Sequence, residues 1–402
     1  MSLRRRSFIA SVAAGAALGA APLRALADSV ELPFANGTRP LVAFPQKRPL
    51  MVLTPRPPQL ETPFAVFDQG VFTPNDAHFV RWHLSDIPLR VDAGAHRIAV
   101  TGAVTRELSL SLADLAKYRP VEIAAVNQCS GNGRGLSAPR VPGGQWTNGA
   151  MSNAVWTGVR LSEILDAAGL TAAAKQVQFD GLDGPTTGQG TPDFKKSLDV
   201  DVARGADIIV AYAMNGEPLP LLNGYPVRLI VPGWYLTYWV KMLSAITVLD
   251  RVDDNFWMKT AYRIPDTPNN SITPGATGFP TVPISRMRVR SFATNIVDGG
   301  TIKAAGSTFG LRGIAFDGGS GIKGVDLSLD GGTTWTATSL EKDYGKYSFR
   351  RWSAPIAAKP GAAVSVSVRA TANDGAVQPA TQGWNPSGYL RDIIETYKVT
   401  VV

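Results

Sequence analysis

Cys129 is the only cysteine in 402 residues, and it stands in Asn127-Gln128-Cys129-Ser130-Gly131-Asn132-Gly133-Arg134-Gly135, directly after the apolar run Val121-Glu122-Ile123-Ala124-Ala125-Val126. That run has the length and β-branched content of a strand, so the thiol falls where a strand gives way to a glycine-rich loop. A thiol so placed can be presented at the rim of a pocket, beside backbone that leaves room for a large group. Thiolate is a soft ligand suited to a heavy transition metal. A lone cysteine closes no internal disulfide, so four accounts stand: a buried apolar thiol, an intermolecular bridge, a catalytic nucleophile or a metal ligand. Position alone favours the plain buried thiol. The same count excludes other redox centres on this chain. One cysteine makes neither a Cys-x-x-Cys-His haem attachment nor an iron–sulfur cluster, and no Gly-x-Gly-x-x-Gly strand-turn-helix unit suggests a flavin domain.

The elements that would position this loop alternate in type. Residues 75–262 carry apolar runs of strand length, such as Arg97 to Thr101 and Ile208 to Tyr212, between short amphipathic helices at Ser111 to Lys117 and Leu161 to Ala168. That order predicts an α+β domain with mixed sheets. Residues 28–74 are rich in proline, including Pro55-Arg56-Pro57-Pro58, and read as an extended segment draped over the surface. Residues 263–284 hold Pro265, Pro268, Pro274, Pro280 and Pro283 with little periodicity, which marks an inter-domain linker. In 285–402 short alternating strands take over: Val325-Asp326-Leu327-Ser328-Leu329, the turn Asp330-Gly331-Gly332, and Val364-Ser365-Val366-Ser367-Val368. Their number and spacing predict an all-β, immunoglobulin-like sandwich. No internal repeat is visible.

Residues 1–27 read as a cleaved export signal. Arg4-Arg5-Arg6-Ser7-Phe8-Ile9 opens an apolar run to Ala21, and Ala25-Leu26-Ala27 supplies small residues for cleavage. The run is too short and too rich in Gly and Ala for a membrane span, so no span is expected in the mature chain. Paired arginines before Ser-Phe-Ile are similar to a twin-arginine signal, the route for proteins exported already folded, which places the protein in a periplasm. Four of the eight net positive charges belong to arginines of this segment, leaving +4. So mild a charge gives no support for nucleic-acid binding.

Over nearly the whole mature chain the sequence resembles the sulfite oxidase family of molybdopterin enzymes, most nearly its bacterial sulfite dehydrogenase branch. The motifs that carry the resemblance occur in order: Phe79-Val80-Arg81-Trp82-His83, the cysteine loop, Trp146 to Leu161, Ala211 to Pro220, Gly224 to Gly233, and Leu327-Ser328-Leu329-Asp330-Gly331-Gly332-Thr333-Thr334-Trp335. The resemblance implies that Cys129 ligates molybdenum carried by one pterin. It implies catalytic roles for Arg81, Arg134, Tyr262 and Arg350, with Arg351 competing for the last place. It also implies that His83, Arg228 and Lys241 bind the cofactor. Residues two apart on a strand share a face, so Arg81 and His83 can point at one bound group.

The implied reaction is oxidation of sulfite to sulfate by oxygen-atom transfer. Two electrons then leave singly to a c-type cytochrome, either a partner subunit or a soluble protein. Within the family, a sulfane dehydrogenase subunit acting on carrier-bound sulfur would share most of these residues. A methionine sulfoxide reductase catalytic subunit would share the signal and the cysteine but lack the second domain. A non-catalytic binding protein on the same fold is the alternative from another class.

Overall fold

Val121–Gln128 lies antiparallel to Met151–Arg160 along its whole length, with Val121 opposite Gly158 and Gln128 opposite Met151. Met151–Arg160 pairs on its other edge with Ile209–Met214, which continues to Glu217–Pro218 and Arg228–Ile230. Ala125, Val126, Ala154, Trp156, Val210 and Leu229 from these strands are fully buried in one core. Gly158 is required there, because a Cβ would fall 2.2 Å from the Val210 carbonyl oxygen. A second sheet has the order Lys195–Asp199, Gln176–Asp180, Ala245–Leu249, Ile98–Gly102, Leu108–Leu110, antiparallel except where Ala245–Leu249 runs with Ile98–Gly102. The computed structural model describes residues 28–185, 190–303, 308–357 and 359–402. The expected signal, 1–27, lies outside them.

Helices are few and short. Leu161–Ala168 has its expected bounds, because Leu161, Ile164, Leu165 and Ala168 form one buried stripe. The helix expected at Ser111 to Lys117 is only Leu112–Leu115, started by a reciprocal Ser111–Asp114 capping box. It stops where the Lys117 N–H turns back to the Asp114 carbonyl, three residues away. No helix of the described residues is long and apolar enough to cross a membrane.

The proline-rich N-terminal segment is more than a surface drape. Ser29–Glu31, Thr38–Phe44, Lys47–Pro55 and Pro58–Glu61 form an antiparallel sheet completed by Val80–Arg81, and Leu50 and Leu60 are fully buried in it. Pro55 and Pro58 flank the turn between two strands, so the interior of the ladder keeps most of its donors.

Beyond it, Arg263–Pro265 pairs with Thr281–Pro283, so the tract expected as a linker closes into a two-stranded ribbon. The C-terminal unit has two sheets. One runs Arg290–Ala293, Thr308–Phe316, Arg350–Ala357, Ser339–Leu340; the other runs Thr301–Ile302, Thr396–Val401, Ala363–Ala372, Ile322–Ser328, Thr336–Ala337. Leu311, Ala315, Trp352 and Ile356 from the first share an apolar core with Val325, Val366, Val368 and Val399 from the second. The two units are also sewn together. Phe292, Phe316 and Phe349 belong to the core of the first unit, and the Val126 N–H donates to the Tyr347 carbonyl at 2.8 Å.

Gly313 marks the tightest point of the C-terminal core: a Cβ there would lie 2.0 Å from the Phe292 carbonyl oxygen and 2.2 Å from the Trp352 ring. Gly313→Ala is expected to destabilise the protein by about 1–3 kcal/mol, the usual cost of overpacking. Denaturant unfolding measures it.

Candidate active site

Cys129 follows the last residue of its strand and is buried. Its N–H donates to the Ala150 carbonyl at 2.9 Å, and its carbonyl accepts from Asn132 N–H at 3.0 Å. The loop then curls back on residues 146–150: Gly133 N–H reaches Thr147 at 2.7 Å, and Gly135 N–H reaches Trp146 at 2.8 Å. Gly133 sits at φ +86 with the Arg391 side chain against its Cα, 2.4 Å from where a Cβ would be. Glycine therefore answers two demands at once, a left-handed backbone and a close approach.

Arg81, His83 and Tyr262 meet at one hydroxyl. Arg81 Nη2 donates to the Tyr262 hydroxyl oxygen at 3.3 Å, and His83 Nε2 makes a short hydrogen bond with the same group. Only Val80–Arg81 is a strand, yet the two side chains converge as expected. The His83 ring stacks on Phe194 at 3.8 Å and meets Trp257 edge-on at 5.1 Å. Tyr262 holds a left-handed φ of +56, uncommon for a residue with a side chain. Burial pushes the Tyr262 phenol well above its ordinary value, and burial holds the His83 imidazole well below its own, with Arg81, Lys241 and Lys196 adding to the effect. Both groups are neutral at physiological pH.

Arg134 lies on the other side. Its guanidinium sits 5.1 Å from the Tyr389 ring centroid and donates to the Ser387 carbonyl at 2.8 Å and the Gly144 carbonyl at 3.2 Å. Tyr389 in turn stacks on Tyr262, with ring centroids 5.7 Å apart and planes 4° from parallel. Deeper in the first unit, Arg228 donates to the carbonyls of Asn223 and Trp239, and Lys241 lies 4.4 Å over the Trp82 ring. Burial lowers Arg228 to about 9. Lys241 is lowered to about 7, first by burial, then by Arg228, with Asp183 acting in the opposite direction.

Cys129, Arg81, His83, Tyr262 and Arg134 are thus one cluster, with Lys241 and Arg228 beside it. Arg350 is placed elsewhere. It begins the strand Arg350–Ala357, pairs with Asp343 at 3.1 Å and makes no hydrogen bond to the cluster among the described residues. The second unit instead reaches the cysteine loop through Trp384-Asn385-Pro386-Ser387-Gly388-Tyr389-Leu390-Arg391, with Arg391 donating to the Leu136 carbonyl at 3.3 Å. Tyr389 and Arg391 are the residues that sequence reasoning missed. The available signal was an aromatic and an arginine in a loop rich in glycine and proline.

Two observations define what the site can hold. Lys47, Arg81, Arg134, Lys196, Arg228 and Lys241 are all at least partly buried, and the fifteen ion pairs among the described residues include none of them. Buried polar atoms also lack partners on the cysteine segment and near it: both amide atoms of Asn127, Gln128 Oε1, Ser130 Oγ, Asn132 Nδ2, Arg81 Nε, Arg228 Nε and Thr237 Oγ1. Buried groups of this kind are almost always satisfied in a finished protein. The chain therefore fits a bulky anionic group with many hydrogen-bonding atoms, beside a soft thiol ligand.

Comparison with known proteins agrees with that description. Residues 84–257 match the oxidoreductase molybdopterin binding domain, and residues 281–401 match the Mo-co oxidoreductase dimerisation domain. The fold and the site together define a molybdenum-dependent oxidoreductase. Human mitochondrial sulfite oxidase is 32% identical over 376 residues, covering 89% of this chain and 67% of the relative. Chicken sulfite oxidase is 30% identical, covering 87% and 78%. The crystal structure of the sulfane dehydrogenase SoxCD from Paracoccus pantotrophus superposes with a TM-score of 0.74 at 26% identity, covering 86% of this chain and 85% of that one. This chain belongs to the sulfite oxidase family.

The buried lysines give the cofactor a measurable signature. Burial lowers Lys47, Lys196 and Lys241 each to about 7, against an ordinary 10.5. Between those values the unfolded chain binds more protons than the folded one, so stability of the cofactor-free protein rises with pH through that window. Below about 7 the loss is complete. A bound anion favours the ammonium forms and cancels the effect. Melting temperatures from pH 7 to 10 are expected to climb for cofactor-free protein and to stay nearly level for loaded protein.

Proposed function

We propose that this chain oxidises sulfite to sulfate by oxygen-atom transfer in the periplasm, with its molybdenum held by Cys129 and one pterin, and gives up the electrons singly to a c-type cytochrome. The convergence of Arg81, Arg134 and Tyr262 beside the thiol carries this reading. When bound, the molybdenum cofactor supplies the oxygen-atom transfer and accepts the two electrons. The remaining work falls to side chains. Arg228 and Lys241, with Lys47 behind them, balance the charge of the pterin and its phosphate, and Asn127, Ser130 and Asn132 offer it their unpartnered polar atoms. Arg81 and Arg134 bind the sulfite dianion through charge-assisted hydrogen bonds and orient it. Tyr262 accepts from Arg81, which leaves its O–H for His83 or for the bound anion. Phe194, Trp257 and Tyr389 wall the group and keep water from competing.

The second unit, read as an immunoglobulin-like sandwich, contributes Tyr389 rather than the Arg350 expected from sequence, while Arg391 pairs with Glu395 and braces the cysteine loop at the Leu136 carbonyl. A cytochrome acceptor is supported by the cysteine count, since the only thiol is assigned to the metal. Periplasmic location and twin-arginine export rest on residues 1–27, and the division at 263–284 rests on the proline pattern.

The likeness to SoxCD favours a second reading, a sulfane dehydrogenase subunit acting on carrier-bound sulfur. Steady-state reduction of cytochrome c with free sulfite separates the two. Saturable turnover of sulfite supports the first; turnover only with a sulfur-carrying protein supports the second.

Cys129→Ser is expected to fold and to lose molybdenum and activity together, because a hydroxyl is a harder and poorer ligand. Elemental analysis beside circular dichroism checks this. Arg81→Met and Arg134→Met should each weaken use of low sulfite by about tenfold or more, the loss of one charge-assisted contact costing about 1.5–3 kcal/mol. Arg350→Met should leave kcat/KM within about twofold, as expected of a residue outside the pocket.

A further inference from the structure

Lys196 is a buried cation that none of the steps above uses. In Lys195–Asp199 its neighbour Lys195 faces outward to Asp180 and Asp193, at 3.1 and 3.3 Å. Lys196 points the opposite way and is fully buried. An ammonium carries three donors. Lys196 Nζ gives one of them to the Trp257 carbonyl at 2.7 Å, and no other hydrogen bond to it is found among the described residues. What surrounds the rest is aromatic: the Tyr238 ring centroid lies 4.6 Å away and the Tyr262 centroid 5.5 Å. Asp253, the acid whose charge favours the ammonium, is occupied by Ser197, Gln178 and Asn255.

A lysine that merely filled space would be a poor choice, because burying an unpaired ammonium is costly and an uncharged side chain of similar length would pack as well. Its three contacts share a property. Trp257 lies in the helix Phe256–Lys259, Tyr262 ends the turn that follows it, and Tyr238 is held by its hydroxyl, which donates to the Ile284 carbonyl at 2.6 Å. That turn delivers Tyr262 in its left-handed backbone conformation. A cation against the ring face is attracted by the π-electrons and resists tilting of the ring.

We propose that Lys196 is a positioning residue for Tyr262: its ammonium ties the Trp257 carbonyl to the faces of Tyr238 and Tyr262, and so holds the Tyr262 hydroxyl between Arg81 and His83. The kinetic part of this inference rests on the proposed oxidation of a sulfur oxyanion or carrier-bound sulfur at the site; the structural part does not. Lys196 touches the ring, not the reacting atoms.

The test is a double-mutant cycle on the cofactor-loaded protein, with Lys196→Met, Tyr262→Phe and the pair, and with Lys196→Arg as the conservative variant. Molybdenum content, KM and kcat are read for whichever substrate the wild type turns over. The ring is read independently through the carbon-13 resonance of the Tyr262 phenol carbon, assigned by its disappearance in Tyr262→Phe. Lys196→Met is expected to keep its molybdenum, shift or broaden that resonance, and raise KM by about tenfold with a smaller change in kcat, as loss of a desolvated cation–π contact implies. In the Tyr262→Phe background it should add less than about twofold, since coupled effects are not additive. Lys196→Arg should restore KM to within about threefold of wild type.

A KM effect of equal size in both backgrounds overturns the proposal, as does an unmoved tyrosine resonance in Lys196→Met. If Lys196→Met does not fold, Lys196→Gln takes its place, and an arginine variant no better than the uncharged one overturns the proposal equally. A wild type that turns over neither substrate would sink the functional reading while the tyrosine resonance still decides the role of Lys196.

Discussion

Lys47, Arg228 and Lys241 lie inside the first unit without a carboxylate in ion-pair contact, and Arg81, Lys196 and Arg134 extend that positive charge towards the thiol. Unpaired buried charge is among the most costly things a fold can contain. Evenly spread contacts cannot offset it; a ligand of opposite sign can. The sheets supply the stiffness to hold these groups in place despite their repulsion. Val121–Gln128 is locked by a full antiparallel ladder, and the turn at 257–262 is anchored from below by Lys196. The cofactor site is therefore better described as a charge deficit built into a rigid frame than as a cavity that happens to fit.

The clefts on the surface fit the same view. A cleft of about 1020 Å³ is lined by residues such as Asn270, Arg288, Ser320 and Gln382, none of them in the Cys129 cluster. Size alone points away from the chemistry. Buried charge, orphaned polar atoms and a soft ligand point to it.

Some of this was legible in the residue order. The placement of Cys129 at the end of a strand, the helix Leu161–Ala168 and the alternating strand around Val325 follow from periodicity and local composition, which act over a few residues. Arg81 with His83 and the roles of Tyr262 and Arg134 came from motif order, and the structure brings those four side chains together. Arg350 shows where that reasoning stops. Nothing local distinguishes an arginine that enters a pocket from one that pairs with Asp343 at its edge. Tyr389 and Arg391 escaped for a related reason: they lie in an aperiodic loop more than 250 residues from Arg134, and only the packing of one unit on the other brings them there. The N-terminal prolines misled differently: Pro55 and Pro58 sit at strand ends, and Pro40 and Pro49, which lie inside strands, each remove only one donor from the ladder.

The second unit meets the first through a buried junction in which Asn148 donates to Glu395 at 2.7 Å and Arg290 lies 3.5 Å from the same carboxylate. From that junction the segment 384–391 passes over the cysteine loop as a roof. In chain order this roof comes after Cys129, Arg134, Lys241 and Tyr262. The residues of the floor and walls therefore leave the ribosome before those of the cover, so the last part of the site to be made is the part that closes it.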